Sequence, residues 1–168
     1  MLSSVPENGL GKPEEFARCT FQEVAADPVE YSERWGVRSY ELDSNGHVNN
    51  AVYLSWAEEI ATRHAEAAGY GLEWTERHGG AWVVHRSEIL HRRPAVYGDQ
   101  VEVAVRVALI KGARGVRRTW IRRLPNKELL AEVLTEWAWV RRTDGRPMRV
   151  PRELVDLVAR RIGEDPAG

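Results

Sequence analysis

A single cysteine, Cys19, leaves no pair for an internal disulfide and fits a reducing compartment. It sits in a polar N-terminal stretch and is read as incidental. Long apolar runs are also missing, and the longest falls far short of the ~20 residues that a membrane helix needs. The start, MLSSVPENGLGKPEEF, has no basic n-region and no apolar h-region, so no secretory signal is expected. The expectation is a soluble, cytoplasmic protein. Charge of one sign is absent too: Lys+Arg 24 against Asp+Glu 25 leave a formal net charge of −1. Nothing global therefore points to nucleic acid or to a membrane surface as a partner. His64, His78, His85 and His91 lack metal-ligand spacing with acidic partners, so no metal is expected. Internal repeats and low-complexity tracts are absent as well.

What remains is the profile of an ordinary globular chain. Its 168 residues suffice for one domain with a real core, and 43% are hydrophobic and 29% charged. Seven tryptophans is a high count. Trp74, Trp82, Trp120, Trp137 and Trp139 fall in or beside patterned segments, where core and subunit-interface packing is the first reading and a ligand pocket the second.

Residues 1–28, rich in Pro, Gly, Glu and Ala without a sustained period, are expected to form a loose arm, and 163–168 a tail. Residues 29–162 form the expected domain. Val29–Leu42 reads as extended, with a turn-prone Gly36. From Asn50 to Ala68, Tyr53, Trp56, Ala57, Ile60, Ala61, His64 and Ala68 recur at three and four residue spacing, which predicts a long helix stopped by Gly69. Glu59 and Arg63 lie off that face as a favourable i,i+4 pair. Extended segments follow at Ala81–His91, Val101–Leu109, Val116–Leu124 and Leu129–Arg141. Turns separate them at Pro94 to Asp99, between Gly112 and Gly115, and at Pro125-Asn126-Lys127. After Asp144-Gly145-Arg146-Pro147, Leu154, Val155, Leu157, Val158 and Ile162 predict a short C-terminal helix with Pro151 and Arg152 near its first turn. A long apolar-faced helix followed by a strand meander is most economically buried by a sheet that curls round it. Such a sheet of about five strands leaves an edge or face to cover, so a homo-oligomer is expected.

The densest polar chemistry lies where the long helix begins, in Glu41-Leu42-Asp43-Ser44-Asn45-Gly46-His47-Val48-Asn49-Asn50. Asn49 and Asn50 occupy the N-cap region, where free N–H groups and the helix dipole favour negative charge. A carbonyl that becomes an oxyanion during acyl transfer is stabilised in such a place. Asp43 and His47, four residues apart, can both face that carbonyl, one as nucleophile or base and the other orienting water or the acyl group. By itself an Asp-x-Asn-Gly run is also an ordinary turn, and an asparagine at a helix start an ordinary cap.

Asp43 to Asn50, followed by Tyr53 and Trp56-Ala57-Glu58, resembles the D-x-N-x-H-V-N-N signature of hotdog-fold acyl thioesterases. The likeness is to the 4-hydroxybenzoyl-CoA thioesterase-like group and to the acyl-ACP thioesterases. The element order from about Tyr31 to Arg141 is similar to theirs, as is the turn Pro94-Ala95-Val96-Tyr97-Gly98-Asp99. The resemblance implies an α+β hotdog fold, a curved antiparallel sheet of about five strands wrapped round one long helix, with a short C-terminal helix here. It implies hydrolysis of an acyl-CoA or acyl-carrier-protein thioester, with no cofactor beyond the CoA or phosphopantetheine of the substrate. Homodimers or homotetramers are implied as well. By position, Asp43 matches the catalytic acid, Asn45 and His47 the amide and imidazole of the acyl-ACP branch, and the Asn50 N–H the donor to the thioester carbonyl. The plant acyl-ACP enzymes have a further acid near the turn after the second strand. Ala95 and Val96 stand there in this chain, and Glu88 is the nearest acid on that strand.

A thioester of this kind brings phosphates to the site entrance. Arg92, Arg93, Arg114 and Arg117 are the candidates to meet them, in a chain whose arginines concentrate in and near three strands. Two rival readings stay open on the same fold. A hotdog enoyl-CoA hydratase resembles D-x-N-P-x-H, with histidine five residues after the aspartate and a proline between; here the spacing is four and Gly46 replaces the proline. A non-catalytic acyl-thioester-binding module usually lacks the acid, and residues 1–28 offer neither a helix-turn-helix pattern nor a basic stretch for a DNA-binding version.

Overall fold

Helix α1 (Asn50–Ala67) turns Tyr53, Trp56, Ala57, Ile60, Ala61 and His64 inward, the three-and-four spacing read from the sequence. In the computed structural model, which describes residues 29–163, this stripe lies against a five-stranded antiparallel sheet. Cys19, the arm expected over 1–28 and residues 164–168 lie outside the described residues. The strands are β1 (Tyr31–Gly36), β2 (Gly80–His91), β3 (Gln100–Lys111), β4 (Arg114–Arg123) and β5 (Glu128–Arg141), in spatial order β1-β3-β4-β5-β2. Val101, Val103, Val105, Ile121, Ala131 and Val133 of the sheet share a core with Tyr53, Trp56 and Ile60. A fully buried side chain of the Ile60 kind contributes about 1.5–3 kcal/mol. The ladders shift register at Val84/Arg86, Val107/Leu109 and Ile121/Arg122, and such bulges bend a sheet round what it covers.

Three local readings change. Extension from Val29 to Leu42 stops at Gly36, and Ser39–Glu41 is a 3-10 turn. There the Glu41 carboxylate accepts the Arg38 N–H at 2.8 Å, which draws the chain back on itself within one turn. Gly115 lies inside β4, so the reversal is the two residues Gly112-Ala113, with Gly112 at φ 63°. A short helix, α2 (Leu72–Arg77), follows Gly69. Six residues are too few for periodicity to announce a helix. Its Trp74 packs on Tyr70 and Trp139, and Trp74 Nε1 donates at 2.6 Å to Glu153 of the C-terminal helix α3 (Arg152–Ile162).

Core packing holds for Trp74, Trp120 and Trp139. Gly80 at the start of β2 shows how tight it is. A Cβ there would lie 2.0 Å from the Trp139 ring, which is fully buried and has nowhere to move. The expected Glu59–Arg63 pair forms at 2.7 Å, and Arg63 also reaches Glu33 of β1 at 2.8 Å, tying helix to edge strand.

His64 is the polar exception on the buried face of α1. Its ring stacks on Tyr31, Arg117 Nη1 donates to Nδ1 at 2.7 Å, and Nε2 faces Glu30 at 3.6 Å. Burial, then the charges of Arg117 and Arg161, push its pKa down to about 4. The unfolded chain takes up this proton near 6.5, which the native state refuses until about 4. The neutral ring's contribution to stability is therefore complete above about 6.5 and is lost as pH falls through that window.

Two outcomes follow for stability. Gly80→Ala should lower the urea midpoint by the equivalent of about 1–3 kcal/mol, with the m-value unchanged. His64→Gln should flatten the decline in unfolding free energy between pH 7 and pH 4; an unaltered slope would assign that decline to other groups.

Candidate active site

Between the 3-10 turn and helix α1 the chain makes a small hairpin. Leu42 bridges Val48, the Asp43 N–H donates to the His47 carbonyl at 2.7 Å, and the Gly46 N–H to the Asp43 carbonyl at 3.1 Å. Gly46 sits at φ 74°, the left-handed conformation that closes a three-residue loop and that other residues resist. Within this turn the half-buried Asp43 carboxylate is fixed by its own backbone. Oδ1 accepts the N–H of Asn45 at 2.8 Å and that of His47 at 3.1 Å. Oδ2 has no partner among the described residues.

Helix α1 begins immediately after. Asn49 caps it, its side chain accepting the Ala51 N–H at 2.9 Å. The N–H of Asn50, the first helical residue, has no acceptor among the described residues and carries the positive end of the helix dipole. The side chains of Asn45, His47 and Asn50 are exposed. A short stretch thus brings together an oriented carboxylate oxygen, an imidazole, an amide and an unpaired backbone donor.

Two buried groups hold this loop in place, and neither was given that role in the sequence analysis. Glu41 is 6% exposed; its carboxylate accepts the Arg38 N–H and, at 3.0 Å, the indole N–H of Trp56 in α1. Its carbonyl accepts the Asn49 N–H at 2.8 Å. Tyr53 is 2% exposed and its hydroxyl accepts the Ala95 N–H at 3.0 Å. The Ala95 carbonyl accepts the Val48 N–H at 2.9 Å, and His47 bridges Val96. The signal for Tyr53 was present, since it lies one turn into the helix in the motif itself; Glu41, a lone acid before a turn, gave none.

Ala95 and Val96 therefore stand beside the motif, where the resemblance implied a further acid. Their turn is closed by Asp99, whose carboxylate accepts the Val96 N–H and Arg123 Nε, both at 3.0 Å. Glu88 pairs with Arg86 on β2. The four arginines are not brought together. Arg92 and Arg93 precede the Ala95–Val96 segment, their N–H groups bonded to the Leu130 carbonyl and their side chains paired with Glu132 and Glu128. Arg114 is buried in an ion pair with Glu136, and Arg117, three residues on and so on the opposite face, lies beside His64.

Tyr53→Phe keeps the ring but strands the Ala95 N–H. We expect a loss of about 1–3 kcal/mol on urea unfolding and faster hydrogen exchange at Ala95 than at core β5 amides.

The model of the thioesterase-like superfamily matches residues 37–158. The long-chain acyl-CoA thioesterase FadM of Escherichia coli is 34% identical over 98 residues, which are 58% of this chain and 74% of that relative. The chloroplast acyl-acyl carrier protein thioesterase ATL3 of Arabidopsis thaliana is 29% identical over 131 residues, 78% of this chain and 68% of the relative. Among solved structures, a thioesterase from Thermus thermophilus complexed with coenzyme A and zinc superposes with a TM-score of 0.66 at 30% identity, covering 80% of this chain and 95% of that one. The antiparallel sheet curved round α1 is the hotdog fold of these enzymes. The family model spans the motif loop, α1 and all the strands from β2 to β5, and the chain belongs to the thioesterase-like superfamily.

Proposed function

We propose that the protein hydrolyses an acyl-CoA or acyl-carrier-protein thioester to a free acid and a thiol, with Asp43 as the base or nucleophile. The observation that carries the reading is the pairing of Asp43 with the helix start. Its Oδ1 is locked by two backbone N–H groups, its Oδ2 is free of protein partners among the described residues, and the unpaired Asn50 N–H follows at the first helical position. The thioester carbonyl accepts the Asn50 N–H, and the helix dipole favours the oxyanion that forms there. Asp43 takes the proton of the attacking water and returns it to the departing sulfur as the carbon–sulfur bond breaks; in the alternative, Asp43 attacks the carbonyl itself, the thiolate leaves and takes a proton from solvent, and water then hydrolyses the resulting anhydride to the free acid. Asn45 and His47 orient the water or the thioester from the same turn. Arg92 and Arg93 are assigned to the phosphates of CoA or phosphopantetheine; the reading is supported by their segment leading to Ala95 and Val96 beside the motif.

The named substrates of FadM and ATL3 support both carrier classes, and the reading requires no cofactor beyond the substrate's own carrier. A second copy of the chain is assigned to the free edge of β2, twelve residues long with β5 as its sheet neighbour. An edge of that length favours pairing. No helix among the described residues is long and apolar enough to cross a membrane; the working location is the cytoplasm.

The test is a hydrolysis panel of short, long and aromatic acyl-CoAs and acyl-carrier proteins. Wild type should turn over at least one class, and Asp43→Ala should lower kcat about 10²–10⁴-fold with the circular dichroism spectrum unchanged. No turnover of any thioester by wild type would sink the proposal, and full activity in Asp43→Ala would move the chemistry away from this carboxylate.

A further inference from the structure

Along α1 the side chains facing the sheet change size midway. Tyr53, Trp56 and Ile60 fill the space above the strands, whereas Ala61, Ala65 and Ala68 in the second half do not reach it. The sheet adds a gap of its own at Gly115, which stands opposite Trp137 in the β4–β5 register. What remains between α1, the inner face of the sheet and α3 is a cavity of about 290 Å³. That is close to the lower bound of roughly 300–1,000 Å³ found for small-molecule sites. Its walls are largely apolar, with Trp82, Val107 and Ile110 from the sheet and Leu154, Leu157 and Val158 from α3.

The charged side chains on this cavity are all cations, beside the hydroxyls of Thr62 and Thr75 and the imidazole of His64. Arg117, Arg142 and Arg161 line the cavity, and among the described residues that line it none is an aspartate or glutamate. Arg142 is engaged, donating to the Gly80 carbonyl at 2.9 Å. Arg117 donates to His64 Nδ1, which places the ring proton on Nε2 toward Glu30. The imidazole is neutral, so it accepts from Arg117 without cancelling its charge; Glu30, beyond the ring, is the carboxylate whose field acts on it. Arg161, exposed on α3, adds a second cation at the outer side.

We propose that this cavity is a second ligand site, which takes a free monocarboxylate with an apolar body, a fatty-acid anion. The hydrocarbon lies along Ala61, Ala65 and Leu157, and the carboxylate meets Arg117 and Arg161. The site is separate from the thioester centre, since α1 rises roughly 17 to 27 Å between Asn50 and the Ala61–Ala68 stretch. It does not depend on turnover, so its failure and that of the thioesterase reading are distinguishable.

The test is calorimetric titration of the full chain with decanoate and with 1-decanol as the uncharged control. Wild type should bind one decanoate per chain at least tenfold more tightly than decanol. Arg161→Glu, a surface change, should weaken decanoate at least tenfold and leave decanol unaffected. Ala65→Phe should fill the cavity and abolish both, while Asp43→Ala should bind decanoate as wild type does. Equal affinity for acid and alcohol, or decanoate binding untouched by Arg161→Glu and Ala65→Phe, would overturn the proposal. So would a wild type that binds no decanoate, with loss of long-chain turnover in Ala65→Phe then making the cavity part of the thioester centre, or loss of binding in Asp43→Ala, which would place the carboxylate at that centre.

Discussion

The Tyr53 ring packs edge-on against Trp56 and His91, with centroids 5.4 and 5.0 Å away, while its hydroxyl accepts the N–H of Ala95. Burial raises its pKa, which keeps the phenol neutral where a charge would be costly. Through Ala95 the same bond reaches Val48, and through Val48 the motif hairpin. Helix, post-β2 turn and hairpin are thus fixed to one another by a single buried phenol. Glu41 does the corresponding work from the other side, with Trp56 as its partner on the helix. The side chains of Asn45 and His47 add no bond to this scaffold among the described residues; they are carried by it.

Most of the architecture was legible in residue spacing. The stripe on α1 needed an apolar partner, and the alternation of Val101, Val103, Val105 and Val107 supplied one. Elements set by single contacts were not legible. The turn at Ser39–Glu41 depends on a carboxylate bonding back to Arg38, and α2 depends on Trp74 finding Trp139, a partner distant in the chain. At the candidate site, the proximity of Asp43, Asn45, His47 and Asn50 was legible because they lie within eight residues of one another. The arginines could not, because sequence proximity of Arg114 and Arg117 conceals that alternation sends them to opposite faces. Glu41 was invisible for a similar reason, since its importance lies in a tertiary hydrogen bond to Trp56.

Helix α1 is used differently along its length. Large rings in its first half build a rigid floor beneath the motif, and alanines in its second half leave room above the sheet. The buried pair of His64 and Arg117 sits in that roomier part, its imidazole kept neutral and its guanidinium still charged. One amphipathic helix therefore presents a preorganised N-terminus and a yielding C-terminal half to the same curved sheet.

The hairpin from Asp43 to His47 is closed by main-chain bonds and by one glycine, and the side chains of Ser44, Asn45 and His47 have no partner among the described residues. Folding thus places few demands on what those positions carry. Substitutions there are nearly free of penalty for the scaffold, so selection can act on them through chemistry alone. The loop is the part of this protein where side chains can change without first having to rescue the fold.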